Sequence, residues 1–271
     1  MNRNFFSILI IIFPLVLAGC GSSQESQDSG TSQQEADQPA ASPEISLVEV
    51  ISPEFPDALL EMIEPLGETN YKDGNINFQY NIKNYQLTAQ TLDADTKQCA
   101  NSGKGQHIHL IVDGEPYHAL YEPDYQLELE DGNHVVLSFL SRSYHESLKH
   151  YGAYVLRQFS VGEGEADPVD LTGEHMFYSR PKGEYKGADT EKVLLDFYLV
   201  NTELSASGNK VRATINGEQF LIDKWVPHFI KGLPDGENTI KLELIDGSGN
   251  PIEGPFNTVE RSITLTKDST T

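Results

Sequence analysis

The chain has 271 residues, with 41 acidic and 19 basic side chains, 8 histidines, 2 cysteines and a formal net charge of −22. An acidic body with no basic stripe repels phosphate backbones, which argues against nucleic-acid binding. No Gly-x-Ser-x-Gly, Gly-x-Gly-x-x-Gly, Walker loop or His-Glu-x-x-His motif occurs, so nothing in the sequence points to an enzyme.

The first twenty residues read as an export signal. Asn2-Arg3-Asn4 supplies one positive charge, and Phe5 to Leu17 is almost wholly apolar. That run is shorter than the ~20 residues a spanning helix needs, so residues 1–19 are expected to be a cleaved signal peptide. Leu17-Ala18-Gly19-Cys20 is similar to the lipobox of bacterial lipoproteins. The resemblance implies diacylation of the Cys20 sulfur, cleavage before it and acylation of the new amine. The membrane is then a partner through a lipid anchor at Cys20, and the expected location is the cell envelope. Gly21 stands where an Asp would resemble an inner-membrane retention signal, which favours the outer membrane. Residues 20–44, rich in Ser, Gln and acids, cannot bury enough apolar surface to order. They read as a lipidated Cys and a disordered tether, whose flexible coil would span on the order of 27 Å.

From Ile45 onward the segments are short, often alternating, and punctuated by Gly, Pro, Asn and Asp. Ile76–Ile82, His107–Val112, Tyr125–Leu129, Val135–Leu140, Val193–Val200, Val211–Ile215 and Thr239–Ile245 are expected strands. No helical period persists, so the fold class is all-β. An internal repeat sets the domain count. Pro65-Leu-Gly-Glu68 matches Pro181-Lys-Gly-Glu184, and Asn84-Tyr-Gln-Leu87 matches Asn201-Thr-Glu-Leu204. Ile111-Val-Asp-Gly-Glu115 matches Thr214-Ile-Asn-Gly-Glu218, and Leu129-Glu-Asp-Gly-Asn133 matches Leu233-Pro-Asp-Gly-Glu237. The order is kept, with an offset of 116 and 117 residues for the first two matches and 103 and 104 for the last two. Two tandem immunoglobulin-like β-sandwich domains are expected, at 45–163 and 164–271, joined near Gly162–Pro168. Neither copy has the Cys…Trp…Cys pattern of antibody domains, and the lone Trp225 reads as core.

Six of the eight histidines fall between His107 and His150. A two-residue turn at Asp113-Gly114 predicts a hairpin in which His109 faces His118, with His107 on the same face and His134 nearby. In the second copy these positions are Lys210, Arg212, Leu221 and Asn238, so the fold does not require imidazole there. Such a solvent-facing patch is a candidate site for Zn²⁺ or Cu²⁺ at His107, His109, His118 and His134, completed by Cys99, Glu115 or water. The plainer alternative is an edge hairpin whose histidines serve solubility. With Cys20 assigned to lipid, Cys99 is unpaired, and no disulfide is expected.

The loop Leu140–Lys149 is a second candidate. Arg142, Ser143, Tyr144, His145 and Lys149 form a cationic, hydroxyl-rich cluster in an acidic domain, able to hold a phosphate or carboxylate.

Taken together, Gly103–Leu110, Ser141–Ser147, Tyr178-Ser-Arg-Pro-Lys-Gly183 and Asn209–Gly217 resemble a family of uncharacterised bacterial lipoproteins, some of whose members are labelled phosphopeptide-binding. The resemblance spans nearly the whole chain after the signal and implies an exported, lipid-anchored protein. The expected function is a non-catalytic binding module, taking a transition metal at the histidines. The alternatives are an interaction module gripping an anionic peptide or glycan through Arg142–Lys149, and a purely structural envelope protein.

Overall fold

The computed structural model describes residues 44–163 and 167–268. The signal segment, Cys20 and the tether as far as residue 43 lie outside the described residues.

The regular structure of the described residues consists almost wholly of β-strands. The first are β1 (Ser46–Glu49), β2 (Leu59–Glu64), β3 (Asn70–Tyr71), β4 (Asn75–Lys83), β5 (His107–Val112) and β6 (His118–Leu120). Next come β7 (Asp124–Glu128), β8 (Gly132–Ser141), β9 (Tyr154–Val161), β10 (His175–Arg180) and β11 (Gly183–Lys186). The last are β12 (Val193–Val200), β13 (Lys210–Ile215), β14 (Glu218–Ile222), β15 (His228–Lys231), β16 (Gly236–Ile245) and β17 (Thr258–Thr266).

Two sandwiches result. In the first, the sheet β2-β4-β7 faces the sheet β3-β9-β8-β5-β6. Between them lie Leu60, Met62, Ile76, Phe78, Tyr80, Ile108, Leu110, Val136 and Phe159. In the second, β1-β15-β12-β10 faces β11-β17-β16-β13-β14, around Tyr178, Leu195, Phe197, Val211, Ile230, Ile240 and Leu242. Period-two alternation shows where only one face is buried, as in β4, where Ile76, Phe78 and Tyr80 are inside and their neighbours outside.

The sequence repeat is a repeat of backbone geometry. Asn84 and Asn201 both take positive φ, at 56° each, as do the turn residues Asp113 (53°) and Asn216 (48°). Both turns are braced alike. Asp113 accepts from the Val135 backbone N–H at 2.8 Å, and Asn216 accepts from that of Thr239 at 2.9 Å.

One element departs from the sequence grouping. The expected division puts Ile45 onward with the first copy. Instead, Ser46–Glu49 pairs antiparallel with β15, and Leu47 packs on the core of the second sandwich. Strand β1 thus covers an edge of β15 that would otherwise lie open.

The two sandwiches share an apolar seam. Ile111, Tyr117, Val135, Leu137 and Phe139 from the first meet Phe177, Tyr198, Val200 and Phe256 from the second. Phe139 stacks on Tyr198 with ring centroids 4.8 Å apart. This seam explains why β5, β8 and β12 are buried on both faces and read as nearly continuous apolar runs. It is also why the face of β5 carrying His107 and His109 is not the solvent-facing patch that alternation predicts.

A seam of this kind should make the two sandwiches melt together. Phe139→Ala should cost about 3–5 kcal/mol, and calorimetry should show one transition moved down as a unit. Two transitions, with only the first shifted, would contradict a shared core.

Candidate metal centre

His107 and His109 stand two residues apart on β5 and so point the same way. Each is wholly buried. The third imidazole is His145, in the tight loop Arg142–Glu146 that follows β8. The loop closes through Arg142 N–H to Glu146 O at 2.8 Å and His145 N–H to Arg142 O at 2.9 Å. His145 takes φ 70°, a left-handed conformation that costs a residue with a Cβ on the order of 1 kcal/mol. A buried ion pair between Arg142 and Glu146, at 2.7 Å, holds the loop in place.

The three rings converge on one point. His107 Nε2 lies 2.9 Å from His109 Nε2 and 3.1 Å from His145 Nδ1, and all three ligand atoms lie within 4.8 Å of one another. On its far side, His107 Nδ1 is 2.8 Å from the Gly105 carbonyl. A carbonyl only accepts, so Nδ1 carries the proton and Nε2 presents a lone pair to the other two rings. His109 Nδ1 lies 3.3 Å from Ser179 Oγ of the second sandwich. Tyr117 covers the site, its ring stacked on His109 at 3.5 Å with an 8° tilt and its hydroxyl 3.3 Å from His145 Nδ1.

Burial holds these imidazoles neutral. Desolvation drops His107 to about 4, and Arg180 and Lys182 push the same way. His109 and His145 lie well below the ordinary histidine range, again chiefly through burial. The nearest charges are therefore cationic, and the acidic surroundings expected from the net charge do not extend to this site.

Two expected ligands lie elsewhere. The Asp113-Gly114 turn does close as two residues, with Glu115 N–H on Val112 O at 2.9 Å. Beyond it, however, the pairing is Leu110 with His118 and His109 with Ala119. One extra residue enters at Glu115–Tyr117, where Pro116 has no N–H to give the ladder. That single slip turns His118 to the opposite face, where its Nδ1 meets the Tyr125 hydroxyl at 3.2 Å. It also brings Tyr117 onto the face of His109. His134 braces the turn, with Nδ1 2.7 Å from Asp113 Oδ2 and Nε2 2.9 Å from Glu130 O. Asn238 does the same work in the second copy, bonding Asn216 and Pro234.

The other candidates are also accounted for. Cys99 is buried among Val50, Tyr144, Leu194 and Phe229, away from the histidines, and burial raises its thiol to about 12. Glu115 is exposed and is not among the clustered ligand groups. In the Arg142–Lys149 loop the polar groups are turned inward. Arg142 pairs with Glu146, Lys149 with Asp196, Tyr144 donates to Asp93, and Ser143 exchanges bonds with Thr91. A groove of about 360 Å³ borders the loop, but its two cations are already neutralised. From this loop only His145 joins the cluster. Its spacing from His107 gave no sequence signal, because it depends on the loop folding back across β5.

No protein-family model matches the chain, and no curated protein matches it. Among solved structures, the fibronectin(III)-like modules of Clostridium thermocellum CbhA share 11% identity over 77% of this chain and 95% of theirs, with a TM-score of 0.27. The N-terminal Ig1-2 module of the Drosophila receptor protein tyrosine phosphatase DLAR shares 11% over 78% and 99%, with a TM-score of 0.22. Bacteroides ovatus SGBP-B, solved with a mixed-linkage heptasaccharide, shares 10% over 77% and 70%, with a TM-score of 0.24. The first two of these neighbours are fibronectin-III-like and immunoglobulin modules by name, and similarity at this level carries no ligand across.

The depressed imidazoles set a pH dependence. Below the ordinary value of 6.5, the unfolded chain binds protons that folded His107 refuses until about 4, so stability falls as the pH falls through that window. Between pH 7 and 5 this residue alone should account for about 2 kcal/mol. Urea unfolding of metal-free protein should therefore show a shallower loss over that range in His107→Gln. Equal slopes in wild type and variant would contradict a buried neutral His107.

Proposed function

We propose that this is a non-catalytic, lipid-anchored envelope protein that binds one Zn²⁺ or Cu²⁺ ion at His107, His109 and His145. The observation that carries the reading is the hydrogen bonding around His107. Its Nδ1–H is committed to Gly105 O, while its Nε2 lone pair faces two further ring nitrogens at 2.9 and 3.1 Å. Without a metal, that lone pair satisfies one of those neighbours. With a metal, all three lone pairs share one acceptor, and the outer N–H groups of His107 and His109 donate to Gly105 O and Ser179 Oγ. Such outer partners orient metal-ligating histidines generally. Nitrogens ~2.0–2.1 Å from a tetrahedral ion stand about 3.3 Å apart, close to the two separations from His107 Nε2, while all three atoms lie within 4.8 Å of one another. Neutral imidazoles are also what a metal requires, because no proton must leave first.

The reading as an anionic peptide or glycan binder is less favoured, since Arg142 and Lys149 are held by their own carboxylates. The envelope location rests on the Leu17-Ala-Gly-Cys20 box, and Cys20→Ser should move the protein from the membrane to the soluble fraction.

Titration calorimetry of purified protein at pH 7 should give one site with a Kd in the micromolar range or tighter. His107→Ala, His109→Ala and His145→Ala should each weaken it about 100-fold or more, whereas His118→Ala and His134→Ala should leave it within about threefold. Equal uptake by wild type and the His145 variant would end this reading.

A further inference from the structure

Three imidazoles leave a metal with an open position, and the residues around it say what fills that position. No carboxylate or thiolate joins the cluster among the described residues. Tyr117 is close, but its ring lies parallel to that of His109 at 3.5 Å. A metal in the plane of the His109 ring is therefore well beyond bonding distance of the Tyr117 oxygen, which reaches only a group bound to the metal.

The cations supplied by the second sandwich are unusual in this acidic chain. Arg180 is 8% exposed, and among the described residues no carboxylate lies within ion-pair distance of it. Its Nη1 donates to the Tyr185 hydroxyl at 3.0 Å, and its Nε is buried with no hydrogen-bond partner among them. Arg142, the other buried arginine, has its Glu146. Lys182 sits 3.7 Å from the Tyr117 ring centroid and donates to the Tyr117 carbonyl at 2.6 Å. Arg180 lies 5.4 Å from the same centroid. His109 occupies one face of Tyr117 and Lys182 the other, so Arg180 is the cation that a metal at the histidines meets; with no carboxylate among the described residues to offset it, that charge weakens the ion's binding.

We infer that the fourth position takes a small exogenous anion of carboxylate type, ligated to the metal and held by Arg180 and the Tyr117 hydroxyl. This rests on the metal reading above. The anion offsets the local positive charge, fills the open coordination position and gives the unpartnered Arg180 Nε an acceptor. His145 is the one ligand that is partly exposed, so entry is from its side. Metal and anion should then bind cooperatively, each tightening the other by the same factor.

Co²⁺ serves as the probe, because its visible absorption reports the coordination shell. The protein is loaded with one equivalent of Co²⁺ in chloride-free buffer, and acetate or azide is titrated in. A saturable spectral change is expected, with Co²⁺ bound more tightly in the presence of either anion. Arg180→Gln should weaken the anion about tenfold while tightening Co²⁺ in anion-free buffer, because a repelling charge has gone. Tyr117→Phe should weaken the anion without tightening Co²⁺, and a role for Arg180 confined to packing would not move the two affinities in opposite directions. If Co²⁺ binds but its spectrum ignores both anions, this inference is overturned and the metal reading stands. If Co²⁺ does not bind, both are overturned.

Discussion

Everything about the candidate site depends on the apolar seam between the sandwiches. Val135, Leu137 and Phe139 on one side and Phe177, Tyr198 and Val200 on the other exclude water from the outer face of β5. Without that cover, His107 and His109 would be ordinary surface histidines, protonated in part at neutral pH. With it, they are dry, neutral and limited to a few partners. The second sandwich therefore acts as the wall that keeps the first one's histidines dry, and it adds Ser179, Arg180 and Lys182 to the surroundings.

The seam also explains where the charge is concentrated. Asp196 is wholly buried and bridges the two halves by pairing with Lys149 and accepting from Ser147 N–H. Arg261 reaches from β17 to Gly114 O at the tip of the first hairpin. These polar ties accompany the apolar contacts between the two halves. They are costly to bury and costlier to break singly, so they select one docking of the sandwiches over others.

Much of the fold was legible. Val193–Val200 is a strand with the expected bounds, and the repeat pairs matching turns down to the positive φ of Asp113 and Asn216. The candidate site was legible in part. His-x-His on one strand predicts a shared face, and His107 and His109 do share one. Register beyond the turn was not legible, because a bulge at Pro116 moves every later side chain to the other face and replaces His118 by Tyr117. By sequence His145 belongs to a cationic, hydroxyl-rich loop, since its approach to His107 is a long-range contact that spacing does not reveal. The continuous apolar runs of β8 and β12 were the available sign that both faces are covered, and they argue against a solvent-facing patch.

The central claim is that three imidazole nitrogens from β5 and the following loop hold one metal ion. X-ray absorption at the zinc edge, on protein carrying one equivalent of Zn²⁺, tests it most directly. The account predicts a four-coordinate shell of nitrogen and oxygen at about 2.0 Å, with the outer-shell scattering of three imidazole rings and no sulfur. A shell of six oxygens, a sulfur ligand, or a spectrum unchanged when His107, His109 and His145 are all replaced by alanine would contradict it.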